Sequence, residues 1–105
     1  MKQKIDYSIG EIVTSISGRD VNTNYIVIKN VDDDFVYVAN GKTKFLEKPK
    51  LKRKKHLKSK NQILEVIKEK LVSNKKVYDE EIFSAFRKNN IDFFEKEIEC
   101  QKKMW

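Results

Sequence analysis

KTKFLEKPKLKRKKHLKSK, residues 42–60, is the stretch on which the fold turns, because it either continues the sheet before it or leaves that sheet. It carries ten Lys/Arg (Lys42, Lys44, Lys48, Lys50, Lys52, Arg53, Lys54, Lys55, Lys58 and Lys60) against one acid, Glu47, a local charge of +9. Residues 1–41 sum to −2 and residues 61–105 to zero, so the net +7 of the chain is concentrated here. Pro49 cannot donate to a ladder. The sequence therefore predicts a strand over Lys42–Glu47 that ends before it. Lys50–Lys60, with Leu51 and Leu57 as its only apolar side chains, is expected to leave as an extended or irregular basic arm.

Upstream, EIVTSIS at 11–17 alternates, with Ile12, Thr14 and Ile16 on one face and Val13, Ser15 and Ser17 on the other. A turn follows at Gly18–Asp20, then the polar loop Val21–Asn24. Tyr25–Val31 is β-branched and apolar on both faces near its start, as suits a strand bent across a small barrel. Asp32–Asp34 turn the chain into Phe35–Ala39, and Asn40-Gly41 is a two-residue hairpin signal. Four short strands within about 40 residues predict a small antiparallel SH3-like barrel. An OB-type barrel needs more chain. In Phe35–Ala39 one face must be core, which leaves at most one or two of Tyr25, Phe35, Tyr37 and Phe45 free to stack on a base.

Downstream, Ser59–Gln62 fits a capping box, with Asn61 as the alternative cap. Ile63, Leu64, Ile67 and Leu71 then recur at helical spacing. SNKK at 73–76 breaks the pattern. Asp79 is expected to cap a second helix with Ile82, Phe83 and Phe86 on one stripe, closed by Asn89-Asn90. Ile91, Phe93, Phe94 and Ile98 leave room for a third short helix or a frayed tail. The division expected is a barrel at 1–49, a basic arm at 50–60 and a helical extension at 61–105: a mostly β N-terminal part with a short α-helical C-terminal extension.

With 105 residues, one small core is expected. Cys100 is the only cysteine, so no internal disulfide forms and a reducing, cytoplasmic setting is expected. The N-terminus has no signal-peptide core and no run approaches membrane-spanning length, so no membrane partner is expected. Nor is enzymatic activity. With one His and no glycine-rich phosphate loop, a nucleophile–base–orienter set cannot be assembled. No cofactor, metal or small-molecule substrate is implied. A DNA-reading helix-turn-helix is disfavoured, because the second helix would open on Asp79, Glu80 and Glu81 where it should meet phosphates.

The order of motifs GEIVTSISGRD, YIVIKNVDDDFVYVANG and KTKFLEKPKLKRKKHL resembles the bacterial KOW-motif RNA-binding proteins. These in turn are similar to the KOW-containing large-subunit ribosomal proteins of archaea and eukaryotes. Gly10, Ser15, the Gly18-Arg19-Asp20 turn, Asn40-Gly41 and the Glu47–Lys50 run closing on His56-Leu57 carry the resemblance, and ILEVIKEKL…DEEIFSAFRKN is similar to the family's C-terminal extension. KOW loops commonly hold a Lys and a Gly where this chain has Val21–Asn24, which leaves Arg19 as the loop's cation. The resemblance implies an SH3-like KOW barrel that binds ribosomal RNA of the large subunit, with a role in translation or ribosome assembly.

The RNA contacts expected are Arg19, Lys42, Lys44, Lys48, Lys50, Lys52, Arg53, Lys54, Lys55, His56, Lys58 and Lys60, with the arm ahead of the loop. Lysine supplies point charges more than guanine-reading forks, so binding should depend on salt more than on sequence. Two other classes fit less well: a nonspecific DNA-binding, nucleoid-type protein, and a protein-interaction module using Ile82, Phe83, Phe86 and Phe94.

Overall fold

The computed structural model describes residues 6–94. Five strands, β1 (Glu11–Ser15), β2 (Asn24–Asn30), β3 (Phe35–Ala39), β4 (Lys50–Arg53) and β5 (Leu57–Ile63), form one antiparallel sheet in the order β4-β3-β2-β1-β5. Two helices follow, α1 (Glu65–Val72) and α2 (Asp79–Lys88). A 3-10 turn over Lys54–His56 joins the two edge strands. The sheet must therefore roll until its edges nearly meet. No hydrogen-bonded ladder joins β4 to β5 among the described residues, so the roll is not closed by backbone pairing.

Both faces of the rolled sheet are core, which explains a β2 that is apolar on both sides. Inside, Tyr7, Val13, Tyr25, Val27, Val36, Val38 and Leu57 pack together. Outside, Ile12 and Ile26 lie under the helices with Leu64, Ile67, Ile82, Phe86 and Ile91. The stripe Ile82–Phe86 is what attaches α2. Asn24 fastens the chain beyond it: its backbone N–H donates to Phe93 O and its Nδ2 to Asp92 O.

The basic arm expected over 50–60 does not exist as such. Lys50–Arg53 pairs with β3 in the register Val36↔Lys52 and Tyr37↔Leu51, and Leu57–Ile63 pairs with β1. A unit ending at residue 49 would lack both edges of the sheet. The alternation was hidden because Lys52, not an apolar residue, takes the inward position opposite Val36. Pro49 precedes β4; it does not end a strand.

Lys42–Glu47 is a loop, not a returning strand. The Asn40 side chain accepts the backbone N–H groups of Lys42, Thr43 and Lys44, each at 2.9 Å, and so winds the segment into a closed turn. Gly41 is left-handed (φ +75°) as a hairpin glycine would be, but it abuts α2, where an added Cβ would stand 2.7 Å from Asp79 O. Nor does Ser59 cap a helix. It lies in β5, where its hydroxyl donates to the Glu11 carboxylate. Here β5 advances four positions, from Ser59 to Ile63, against two on β1, from Val13 to Glu11, and left-handed Asn61 (φ 58°) lies within the excess. α1 starts at Glu65, with Leu64 before it and no side-chain cap. Asp79 is the first residue of α2, and its carboxylate accepts Leu46 N–H at 2.8 Å. Cys100, Ile98 and any third helix after Phe94 lie outside the described residues.

Gly41 and Gly18 are both left-handed (φ +75° and +88°), but a Cβ on Gly18 has nothing nearer than an Asp20 oxygen at 3.8 Å. Gly18→Ala is expected to lose about 1–2 kcal/mol from backbone strain alone. Gly41→Ala should lose more, because Asp79 and α2 must also move. Urea unfolding of the two variants measures the difference; equal losses would contradict the packing of Gly41 on α2.

Candidate nucleic-acid interface

Ser15 ends β1, Asp20 stands in the β1–β2 turn, Tyr25 opens β2 and Lys52 lies on β4. All four meet at one carboxylate. Asp20 Oδ1 accepts from Ser15 Oγ at 2.8 Å and from Lys52 Nζ at 3.0 Å, and Oδ2 accepts from the Tyr25 hydroxyl at 2.7 Å. Lys52 Nζ also reaches Ser15 Oγ at 3.2 Å. Burial alone would raise the Asp20 pKa. The hydrogen bonds from Tyr25, Lys52 and Ser15, with the Lys52 charge, outweigh it and hold the carboxyl down at about 2. Burial first, and then the neighbouring carboxylate, push the Tyr25 hydroxyl up.

Lys54 is the second inward cation. It is 2% exposed, and its ammonium lies 3.8 Å from Asp6 Oδ1. Its backbone ties the 3-10 turn down: Lys54 N–H donates to Asp34 O, and the Tyr7 hydroxyl donates to Lys54 O and Leu57 O. Lys52, 8% exposed, and Lys54 therefore do not belong to a surface for a polyanion. Both serve the fold, a correction to their expected role as RNA contacts.

The remaining cations of the tract face outward. Lys42, Lys48, Arg53, Lys55, Lys58 and Lys60 are exposed, and Lys44, Lys50 and His56 are half-buried. Arg19 is exposed at the tip of the β1–β2 turn. They do not line up as one arm. Lys42, Lys44 and Lys48 sit in the Asn40-closed loop, with Lys42 Nζ 5.3 Å from the Phe93 ring centroid. Lys58 and Lys60 stand on β5 and line a groove of about 470 Å³ with Thr14, Ile16, Val21, Asn22 and Ser59. Arg53 lies over the Phe35 ring, at 5.0 Å from its centroid. Of the exposed acids, Glu47 lies in the same loop as Lys44 and Lys48, while Asp32–Asp34 stand at the β2–β3 turn and Glu65, Glu69 and Glu80 on the helices.

Among the described residues no group of three or more His, Cys, Asp or Glu side chains is placed to hold a metal ion. No helix among them is long and apolar enough to cross a membrane. No protein-family model matches the chain, and no curated protein matches it significantly.

The structural use of Ser15, Asp20, Tyr25 and Lys52 was missed in the sequence. Their separation along the chain leaves no local signal, and Lys52 is masked by its basic neighbours. Because the fold favours the Asp20 carboxylate, its contribution to stability is complete above the ordinary value of 3.8 and is lost as pH falls toward about 2. With partial exposure allowed for, the loss should be on the order of 1–2 kcal/mol. Urea unfolding at pH 6, 4 and 2.5 should show wild type converging on Asp20→Asn as the pH drops. A constant gap between the two would contradict the assignment.

Proposed function

We propose that this chain is an RNA-binding protein of the KOW-motif kind, an SH3-like barrel with a helical extension that docks on ribosomal RNA in translation or ribosome assembly. A five-strand antiparallel roll, with a 3-10 turn between its edge strands, supports the barrel reading. The observation that carries the function is the division of the basic tract. Two of its cations are consumed by the core. Lys42, Lys48, Arg53, Lys55, Lys58 and Lys60 still face solvent, with Glu47 the one exposed acid within residues 42–60. Such a surface meets phosphates by charge and discriminates bases weakly. Carrying the cations on strands and a closed loop lowers the cost of ordering them on binding.

A second reading has its own observation. β4 and β5 are the two edges of the sheet, and lysines on an edge strand prevent edge-to-edge pairing with another molecule. On that reading the charges keep the protein monomeric and bind nothing. Lys58→Gln/Lys60→Gln separates the two: protection of the edge predicts self-association without change in RNA affinity.

If about five of the exposed cations meet phosphates, log Kd against log salt for a folded ribosomal RNA fragment should have a slope of magnitude about 4. Replacing Lys42, Lys44, Lys48, Lys58 and Lys60 by Gln should flatten it and weaken binding at low salt, with the fold retained. Equal or tighter binding of duplex DNA would favour the nucleoid-type alternative. A wild-type protein that binds no RNA at low salt, and stays at the top of a sucrose gradient of ribosomal subunits, would overturn the proposal.

A further inference from the structure

The helices cover only part of the sheet's outer face. Ile12 and Ile26 lie beneath them, and Ala39, paired with Ile26, is buried as well. Farther along β3 and across to β4, the same face carries Phe35, Tyr37, Leu51 and Arg53 and is open. Leu51 is 48% exposed, Arg53 is exposed, and both rings are half-buried. The register sets Lys29, Tyr37 and Leu51 in one row across three strands, and Phe35 directly opposite Arg53.

We propose that this face is a stacking platform for the unpaired bases of single-stranded RNA. The inference rests on the reading of the chain as an RNA-binding protein and adds where bases, as distinct from phosphates, are held. Every base has two flat π faces, and aromatic rings and guanidinium planes accept them without regard to sequence. Arg53 lies over Phe35, its guanidinium carbon 5.0 Å from the ring centroid, so a guanidinium and a ring stand together on this face. Phe35 and Tyr37 are alternate residues of one strand, about 6.6–6.8 Å apart along it, so each has room for its own base. Leu51 supplies apolar contact beside Tyr37.

Charge selects the occupant. Lys29 and Arg53 border the face and are exposed, which suits a flexible polyanion and repels a second copy of a chain carrying +7. A protein partner seeking an apolar surface would have to desolvate both cations. Asp32–Asp34 stand just before Phe35 and keep phosphates away from that end, so the sugar–phosphate path runs along the Lys29–Tyr37–Leu51 row.

The test is fluorescence anisotropy of the full chain with a labelled unstructured oligouridine and with a fully paired RNA hairpin. Phe35→Leu/Tyr37→Leu keeps apolar area but removes the rings. It is expected to weaken oligouridine binding by roughly 5- to 150-fold for each base stacked, with the salt slope unchanged and hairpin binding within about twofold. Should that variant unfold in thermal scans, the exposed Arg53→Lys, which keeps the charge and removes the guanidinium plane, replaces it. At least about a fivefold loss is then expected for oligouridine, with hairpin binding within about twofold. Wild-type oligouridine affinity in the folded variant overturns the platform and leaves RNA binding by the basic tract standing. Failure of the wild type to bind either RNA overturns the RNA-binding reading and the platform with it.

Discussion

An ammonium and a carboxylate 3.0 Å apart, Lys52 and Asp20, hold this fold in its rolled shape. Lys52 is on an edge strand, while Asp20 and Ser15 belong to the β1 end of the sheet, with β3 and β2 in between. No flat sheet could bring them together. The pair links β4 to the β1 end of the sheet across the inside of the roll, where no backbone ladder joins β4 to β5 among the described residues. Its polar atoms are well served: three donors reach the Asp20 carboxylate, and Lys52 also finds Ser15. A pair so embedded is costly to break from either side, because the survivor is left with unpaired charge. The interior of Val13, Tyr25, Val27, Val36, Val38 and Leu57 depends on the curvature that this contact maintains.

From that constraint follows the division of labour along the basic tract. Strand alternation sends Lys52 inward, and the 3-10 turn sends Lys54 the same way. Their neighbours Arg53 and Lys55 consequently point out, as do Lys58 and Lys60 on the opposite edge. A run that looks uniform in one dimension is thus separated by the backbone into cations that build the barrel-like roll and cations that face solvent. The same alternation puts Leu51 and Arg53 on the uncovered outer face beside Tyr37 and Phe35. On the function proposed, charge for phosphates and flat surface for bases would be offered by adjoining parts of one sheet.

How much of this could be read in advance depended on whether burial was written in apolar residues. Glu11–Ser15, Asn24–Asn30 and Phe35–Ala39 were legible because Val, Ile, Tyr and Phe alternate through them, and the stripe of Ile82 and Phe86 marked α2. Val36 and Val38 are core, as one face of β3 had to be. β4 was illegible because Lys52, paired with a distant aspartate, occupies an inward position that pattern reasoning reserves for apolar side chains. β5 was illegible because Leu57 is its one buried residue and its register shifts against β1 around Asn61. Asn40-Gly41 gave a true local signal, a left-handed glycine after a capping asparagine, with the wrong consequence. The turn is closed by three backbone donors to Asn40 and by the start of α2, not by a returning strand. Ser59 misled in the same way, since its hydroxyl serves Glu11 across the sheet. Of the candidate interface, the location of the charge was legible and its orientation was not.

Lysine acylation read residue by residue by mass spectrometry, with and without a folded ribosomal RNA fragment, tests the central claim most directly. In the free protein Lys48, Lys55 and Lys58 should react readily while Lys52 and Lys54 are spared, and RNA should then protect the first group. Reaction of Lys52 and Lys54 at the rate of their neighbours would contradict the fold described. Selective labelling unchanged by RNA would contradict the function proposed for it.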